Sequence, residues 1–219
     1  MGYYIDEAST SLDNLQTRLE TTDLIPSQKA LLPELTKKMD ALKKTGIKSI
    51  AGLRTRLKSK KSLASLADDS GINPDYLAML RRAVEGFFPK PQALKTFDWL
   101  DQDTIARLDQ AGVRNTRQLY EATSSGVDKL VDNAGLKKKN LLDFLSLSDL
   151  SRIQWVSPTF ARALAAAGFT RTTMVAAANP ETLYEALMKV NENAHFYKGK
   201  VGLRDIKRLI AAAAYVPVG

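Results

Sequence analysis

Six times along this chain a glycine is followed at once by a large apolar residue: Gly46-Ile47, Gly71-Ile72, Gly112-Val113, Gly135-Leu136, Gly168-Phe169 and Gly202-Leu203. Each pair comes just after a helical pattern. Glycine takes the left-handed conformation that ends a helix without a Cβ clash, and the apolar residue after it folds back onto the last turn. Six such stops in 219 residues imply many short helices joined by tight turns. The starts agree. Asn73-Pro74, Ser157-Pro158 and Asn179-Pro180 each place a capping side chain before a proline at the first helical position. Ser49, Ser62, Asn115 and Thr170 are weaker caps in suitable places. Apolar residues then recur three or four apart, as in Leu77, Leu80 and Val84 or Leu183, Leu187 and Val190. No long alternating run demands a strand, so the chain is expected to be all-α.

The stops pair up. Gly46 and Gly71 lie 25 residues apart, Gly112 and Gly135 lie 23 apart, and Gly168 and Gly202 lie 34 apart with the polar stretch NENAHFYKGK between them. Repetition at this scale is the mark of a repeat architecture. The predicted organisation is an N-terminal helical extension over 1–26, a first unit over 27–88, a linker over 89–95, a second unit over 96–147, and a third unit with the C-terminal tail over 148–219. Leu12, Leu15 and Leu19 give the extension an amphipathic helix over 8–21. Residues 97–113, FDWLDQDTIARLDQAGV, align without a gap on residues 153–169, IQWVSPTFARALAAAGF, Trp on Trp and Ala-Gly on Ala-Gly.

The stretch from Leu150 to Glu192 resembles the uncharacterised bacterial family DUF4332. Its pattern reads I-x-G-I-G-P-x-Y-A-x-x-L-x-x-A-G followed by N-P-x-x-L. Ile153, Pro158, Phe160, Ala161, Leu164, Ala167, Gly168, Asn179, Pro180 and Leu183 match it; residues 31–90 and 97–147 match more weakly. The resemblance implies tandem helix-hairpin-helix (SAM/HhH-like) units of short helices, and fold does not fix function. In DNA-binding hairpins of that kind, a Gly-apolar-Gly turn presents backbone N–H groups to a phosphate. Here Trp155 and Ser157 occupy the two glycine places of the third unit, and Trp99 and Asp101 those of the second. Glu34 and Thr36 fall there in the first. Asp101 and Ser157 are expected as helix N-caps, and the two tryptophans as packing anchors. Both expectations argue against those turns touching DNA.

Charge points elsewhere. The net charge is +8, and it is concentrated. Residues 37–61 carry Lys37, Lys38, Lys43, Lys44, Lys48, Arg54, Arg56, Lys58, Lys60 and Lys61 against Asp40 alone, while residues 1–36 are net acidic. Such a cluster suits several phosphates without reading sequence; it also suits a solvated helix face neutralised by the preceding acids. Lys137, Lys138 and Lys139 stand at a helix start, where cations oppose the helix dipole. Lys198, Lys200, Arg204, Lys207 and Arg208 form a weaker third group.

Little suggests catalysis. Cysteine is absent, the one histidine, His195, is expected as an exposed loop side chain, and no phosphate-binding loop motif is present. No apolar run approaches the roughly 20 residues of a membrane span, and the start MGYYIDEASTSLDNL does not read as a signal peptide. The sequence predicts a cytoplasmic, non-enzymatic protein with no cofactor, metal or membrane partner. Two functions stand side by side. One is sequence-nonspecific binding to a DNA or RNA phosphate backbone through a basic face. The other is a helical protein-protein interaction or scaffold module.

Overall fold

The structure, a computed structural model, describes residues 2–124 and 126–218. Among the described residues the regular elements are helical, and the bridges Ser11–Ser49 and Ala93–Asn115 stand isolated, so the protein is all-α. The helices are α1 Leu12–Thr21, α2 Leu35–Lys44, α3 Ile50–Leu57, α4 Lys60–Ser70, α5 Pro74–Glu85, α6 Gln102–Gln110, α7 Thr116–Ser124, α8 Val127–Ala134, α9 Lys138–Leu150, α10 Pro158–Ala166, α11 Thr172–Ala176, α12 Pro180–Ala194 and α13 Leu203–Ala214. Short 3-10 turns occupy Pro26–Leu31 and Leu94–Thr96. None of these helices is long and apolar enough to cross a membrane.

Local chemistry sets most of the ends. The side chains of Asn73, Ser157 and Asn179 accept from the amides of Asp75, Phe160 and Thr182, each with proline in the first helical turn. Asn115 accepts from the amide of Gln118 at 2.9 Å at the start of α7. Five of the six expected stops, at Gly46, Gly71, Gly112, Gly135 and Gly168, have φ between 61° and 90°. The sixth is different. Gly202 begins α13 with φ −104°, and its amide donates to the Asp205 carboxylate at 3.0 Å. The stop before it falls to His195, which ends α12 at φ 47° and is exposed, as expected. Two caps also move. Ser59 caps α4, with Ser62 completing a reciprocal capping box. At α11 neither Thr170 nor Arg171 caps; Asp149 of α9 accepts the Thr172 amide at 2.7 Å instead.

The described chain forms two compact bodies, residues 5–88 and residues 2–4 with 89–218. The N-terminal extension is therefore shared between them. In the first body α1 packs on α2, and α3 on both α4 and α5. Its core includes Leu15, Leu19, Met39, Leu42, Leu53, Leu57, Leu66, Leu77 and Leu80. The segment before α1 supplies acceptors for two orphan amides at the start of α3: Ile50 donates to the Thr10 carbonyl at 2.9 Å and Ala51 to that of Glu7 at 2.8 Å.

In the second body one apolar cluster runs from Leu94 to Ala213 and takes in residues of α6 to α13. The two aligned stretches fold in the same register. Shifting α6 by 56 residues reproduces the bounds of α10, and α7 and α11 begin at the aligned Thr116 and Thr172. The turn ahead of each closes with the same hydrogen bond, Leu100 donating to Phe97 at 3.1 Å and Val156 to Ile153 at 3.2 Å. Between α9 and α10 stands Arg152, only 3% exposed. Its Nε donates to the Tyr3 carbonyl at 3.1 Å, Nη1 to Asp149 at 2.6 Å and Nη2 to the Pro217 carbonyl at 2.5 Å. One guanidinium thus ties the two ends of the described chain to α9.

Candidate nucleic-acid interface

Helix α2 buries Leu35, Met39 and Leu42, spaced four and three apart, so that one stripe faces the core. Burial of each such side chain contributes about 1.5–3 kcal/mol, which fixes the helix's rotation. Positions off that stripe, Lys37 and Lys44 among them, are thereby turned to solvent. In α3 the stripe is Ile50, Leu53 and Leu57, and in α4 it is Leu63, Leu66 and Ala67. Lys58 and Ser59 form the corner between those two helices, with Lys60 and Lys61 in the first turn of α4.

The ten basic residues of 37–61 divide sharply by partner. Arg54 is held by two carboxylates, Glu85 through Nε at 2.8 Å and Nη2 at 2.9 Å, and Glu7 through Nη1 at 2.5 Å. Arg56 pairs with Asp69 at 2.5 Å. Lys43 donates to Asp13 at 2.6 Å and to Asp40 at 3.3 Å, and the Asp13 hydrogen bond holds its pKa above the usual lysine value. Lys38 donates to the Pro33 carbonyl at 2.7 Å and sits 4.2 Å from the Tyr76 ring centroid. Lys37 reaches Glu34 only at 3.4 Å and stays largely exposed. Lys44, Lys48, Lys58, Lys60 and Lys61 are exposed, and none has a carboxylate partner among the described residues. The acidic residues before α2 therefore neutralise part of this group through Glu7, Asp13 and Glu34, and leave the α3–α4 corner uncompensated.

Lys137, Lys138 and Lys139 lie in the other body. Lys138 pairs with Asp128 at 2.9 Å. Lys137 takes the N-cap position of α9 with no side-chain cap, and both it and Lys139 are exposed. The preceding Gly135 is left-handed at φ 61°, and Leu136 donates back to the Val131 carbonyl at 2.9 Å.

The hairpin positions behave unequally. Asp101 caps α6, accepting from the Thr104 amide at 3.0 Å and the Thr104 hydroxyl at 2.5 Å. The Thr104 hydrogen bonds hold its carboxyl below the usual range. Ser157 caps α10 in the same way. Trp99 packs edge-on against Phe97 at 5.4 Å, with Arg162 lying 4.9 Å from its ring centroid. Trp155 is not the packing anchor that its alignment with Trp99 predicts. It is 45% exposed and its backbone is left-handed at φ 70°. Glu34 is also left-handed, at φ 57°, but it is the N-cap of α2 itself, the place that Asp101 and Ser157 hold before α6 and α10. A shared glycine place is not the reason, since Trp99, aligned with Trp155, is not left-handed; the left-handed backbone turns the Trp155 side chain out where Trp99 packs.

One cation lay outside the sequence reading. Arg81 of α5 is half-buried beside Lys58, and the two line one cleft. It stands outside the charge-dense window, and helical spacing within α5 carries no sign of what α3 brings against it.

The profile of a family described as Domain of unknown function (DUF4332) matches residues 100–216. No curated protein and no solved structure matches the chain.

Proposed function

The chain belongs to the DUF4332 family, and on that premise we propose that it is a non-enzymatic, cytoplasmic protein that binds nucleic acid without sequence specificity. Contact is made through exposed lysines on a scaffold of degenerate helix-hairpin-helix units, not through the hairpin turns. The observation that carries this reading is the α3–α4 corner, where Lys58, Lys60 and Lys61 stand exposed with no carboxylate partner among the described residues. Lys60 and Lys61 oppose the dipole of α4. Helix stability does not account for them, whereas a phosphate would gain from the ammonium groups. The left-handed backbone at Trp155, where the resembling hairpins carry glycine, supports the hairpin ancestry of the scaffold.

The test is fluorescence anisotropy of a labelled duplex across salt concentrations. Binding is expected to weaken steeply with salt, and the Lys58→Glu, Lys60→Glu, Lys61→Glu triple variant to lower the log–log slope by about 0.9 for each lost phosphate contact. Lys43→Gln, which removes an amine already paired with acids, is expected to change affinity far less. Absence of binding at low salt, or a triple variant that binds as the parent does, overturns the reading. In that event Trp155 favours the second reading, a helical protein-interaction module. A large apolar side chain held exposed on a left-handed backbone suits a protein contact. Under it, partner capture survives nuclease treatment and is lost in Trp155→Ala.

A further inference from the structure

The basic face of the first body becomes concave between α3 and α5. Glu7, Arg54, Thr55, Lys58, Arg81 and Glu85 line an open cleft of about 520 Å³ there. Its charges do not cancel. Arg54 takes both oxygens of Glu85 in a bidentate fork and one of Glu7, and its guanidinium lies 4.1 Å from the Phe88 ring centroid. The hydrogen bonds to Glu85 and then Glu7 hold the pKa of Arg54 above the ordinary arginine value, against the opposing effect of burial. Both carboxylates of the cleft pair with Arg54, Glu7 through one oxygen only, and Lys58 and Arg81 bring the charged side chains of the lining to a net positive charge.

Lys58 and Arg81 remain. Neither has a carboxylate partner among the described residues. The closest hydrogen bond from Arg81 runs from Nη1 to the Leu57 carbonyl at 3.5 Å, long for such a contact. Most of its five N–H donors are left over. A planar fork and an ammonium, brought from two helices to one concavity, suit a tetrahedral oxyanion. The fork spans two oxygens, and the point charge meets a third out of their plane. Lys58 is also continuous in the chain with Lys60 and Lys61.

We propose that this cleft seats a phosphoryl group, with Arg81 binding through its guanidinium fork and Lys58 through its ammonium. The proposal rests on the nucleic-acid reading for one source of the phosphate, a strand and above all its phosphorylated end. Free phosphate is the other source.

Inorganic phosphate is titrated into the full chain at constant ionic strength against chloride, and backbone amides are followed by 1H–15N correlation. Saturable shifts are expected around Lys58 at the end of α3 and Arg81 in α5, absent in Arg81→Gln and weaker in Arg81→Lys. Lys58→Gln, at an exposed site with no packing role, is expected to weaken them without disturbing the fold, which circular dichroism checks. In a second arm, single strands with a 5′-phosphate or a 5′-hydroxyl are compared by anisotropy. The phosphorylated strand is expected to bind more tightly, and Arg81→Gln to weaken it about tenfold and erase the difference.

Shifts with inorganic phosphate but no effect of the strand end assign the seat to free phosphate. Shifts with no strand binding at all overturn the nucleic-acid reading and leave the seat standing. Strand binding that depends on Lys58, Lys60 and Lys61, with cleft amides unmoved by phosphate, overturns the seat and leaves the nucleic-acid reading. Equal, non-saturating shifts at every exposed lysine also overturn the seat.

Discussion

Three non-glycine residues carry positive φ among the described residues: Glu34 at 57°, Trp155 at 70° and His195 at 47°. A Cβ in that conformation crowds the neighbouring carbonyl, which costs roughly 1–2 kcal/mol. His195 is the simplest case. It is exposed, ends α12, and does the work that the sequence pattern assigns to glycine at helix ends. His195→Gly is expected to raise stability by about 0.5–1 kcal/mol in urea denaturation, the relief of strain being partly offset by the greater freedom of glycine when unfolded. A loss of stability would mean that the imidazole contributes more than its backbone costs. Glycine positions are easily read along the chain; the residues that adopt a glycine-like backbone without being glycine are not, since nothing in their own chemistry announces it.

At the scale of elements, aligned helices solve the same end problem in two ways. Thr116 and Thr172 begin α7 and α11, and both are buried. The Thr116 amide donates to the Gln92 carbonyl at 2.9 Å, and Asn115 caps the turn locally. At α11 the residue aligned with Asn115 is Arg171, which cannot accept a hydrogen bond, and Asp149 reaches across from α9 to take both the amide and the hydroxyl of Thr172. The same carboxylate pairs with buried Arg152. Asp149→Ala therefore removes a cap and leaves a buried cation without its acid. It is expected to cost about 3–5 kcal/mol by denaturant unfolding. Hydrogen exchange is expected to show the Thr172 amide deprotected first. If α11 stays as protected as in the parent, the cap is not what holds it. Asn73, Asp101, Ser157 and Asn179 were legible as caps because a cap and its amide lie two or three residues apart. Asp149 and Thr172 lie 23 apart, and no local pattern joins them.

Across the whole molecule the second body is made from both ends of the described chain. Residues 2–4 belong to it, the chain then builds α1–α5 as the first body, and it returns at Pro89, whose carbonyl accepts a hydrogen bond from the Tyr4 hydroxyl. Tyr3 is buried, its hydroxyl 2.9 Å from that of Thr116, and burial pushes its pKa well above the usual tyrosine value despite that hydrogen bond. Tyr3→Ala is expected to destabilise the second body by about 3–5 kcal/mol, followed by the fluorescence of Trp99 and Trp155 during urea unfolding, both of which report on that body. An unchanged midpoint would show that the N-terminal segment is dispensable to it. The all-α class and most helix ends were readable because capping, glycine stops and apolar spacing act over three to seven residues. The basic group was readable as composition. Which of its members stay uncompensated was not, because Asp13 meets Lys43 across 30 residues and Glu7 meets Arg54 across 47. Trp155 and Trp99 are identical in aligned sequence, yet one turns outward and the other packs. Arg152 finds Tyr3 across 149 residues. Local chemistry can state what each segment becomes; only the folded chain brings distant charges together and so settles which lysines are left for a partner.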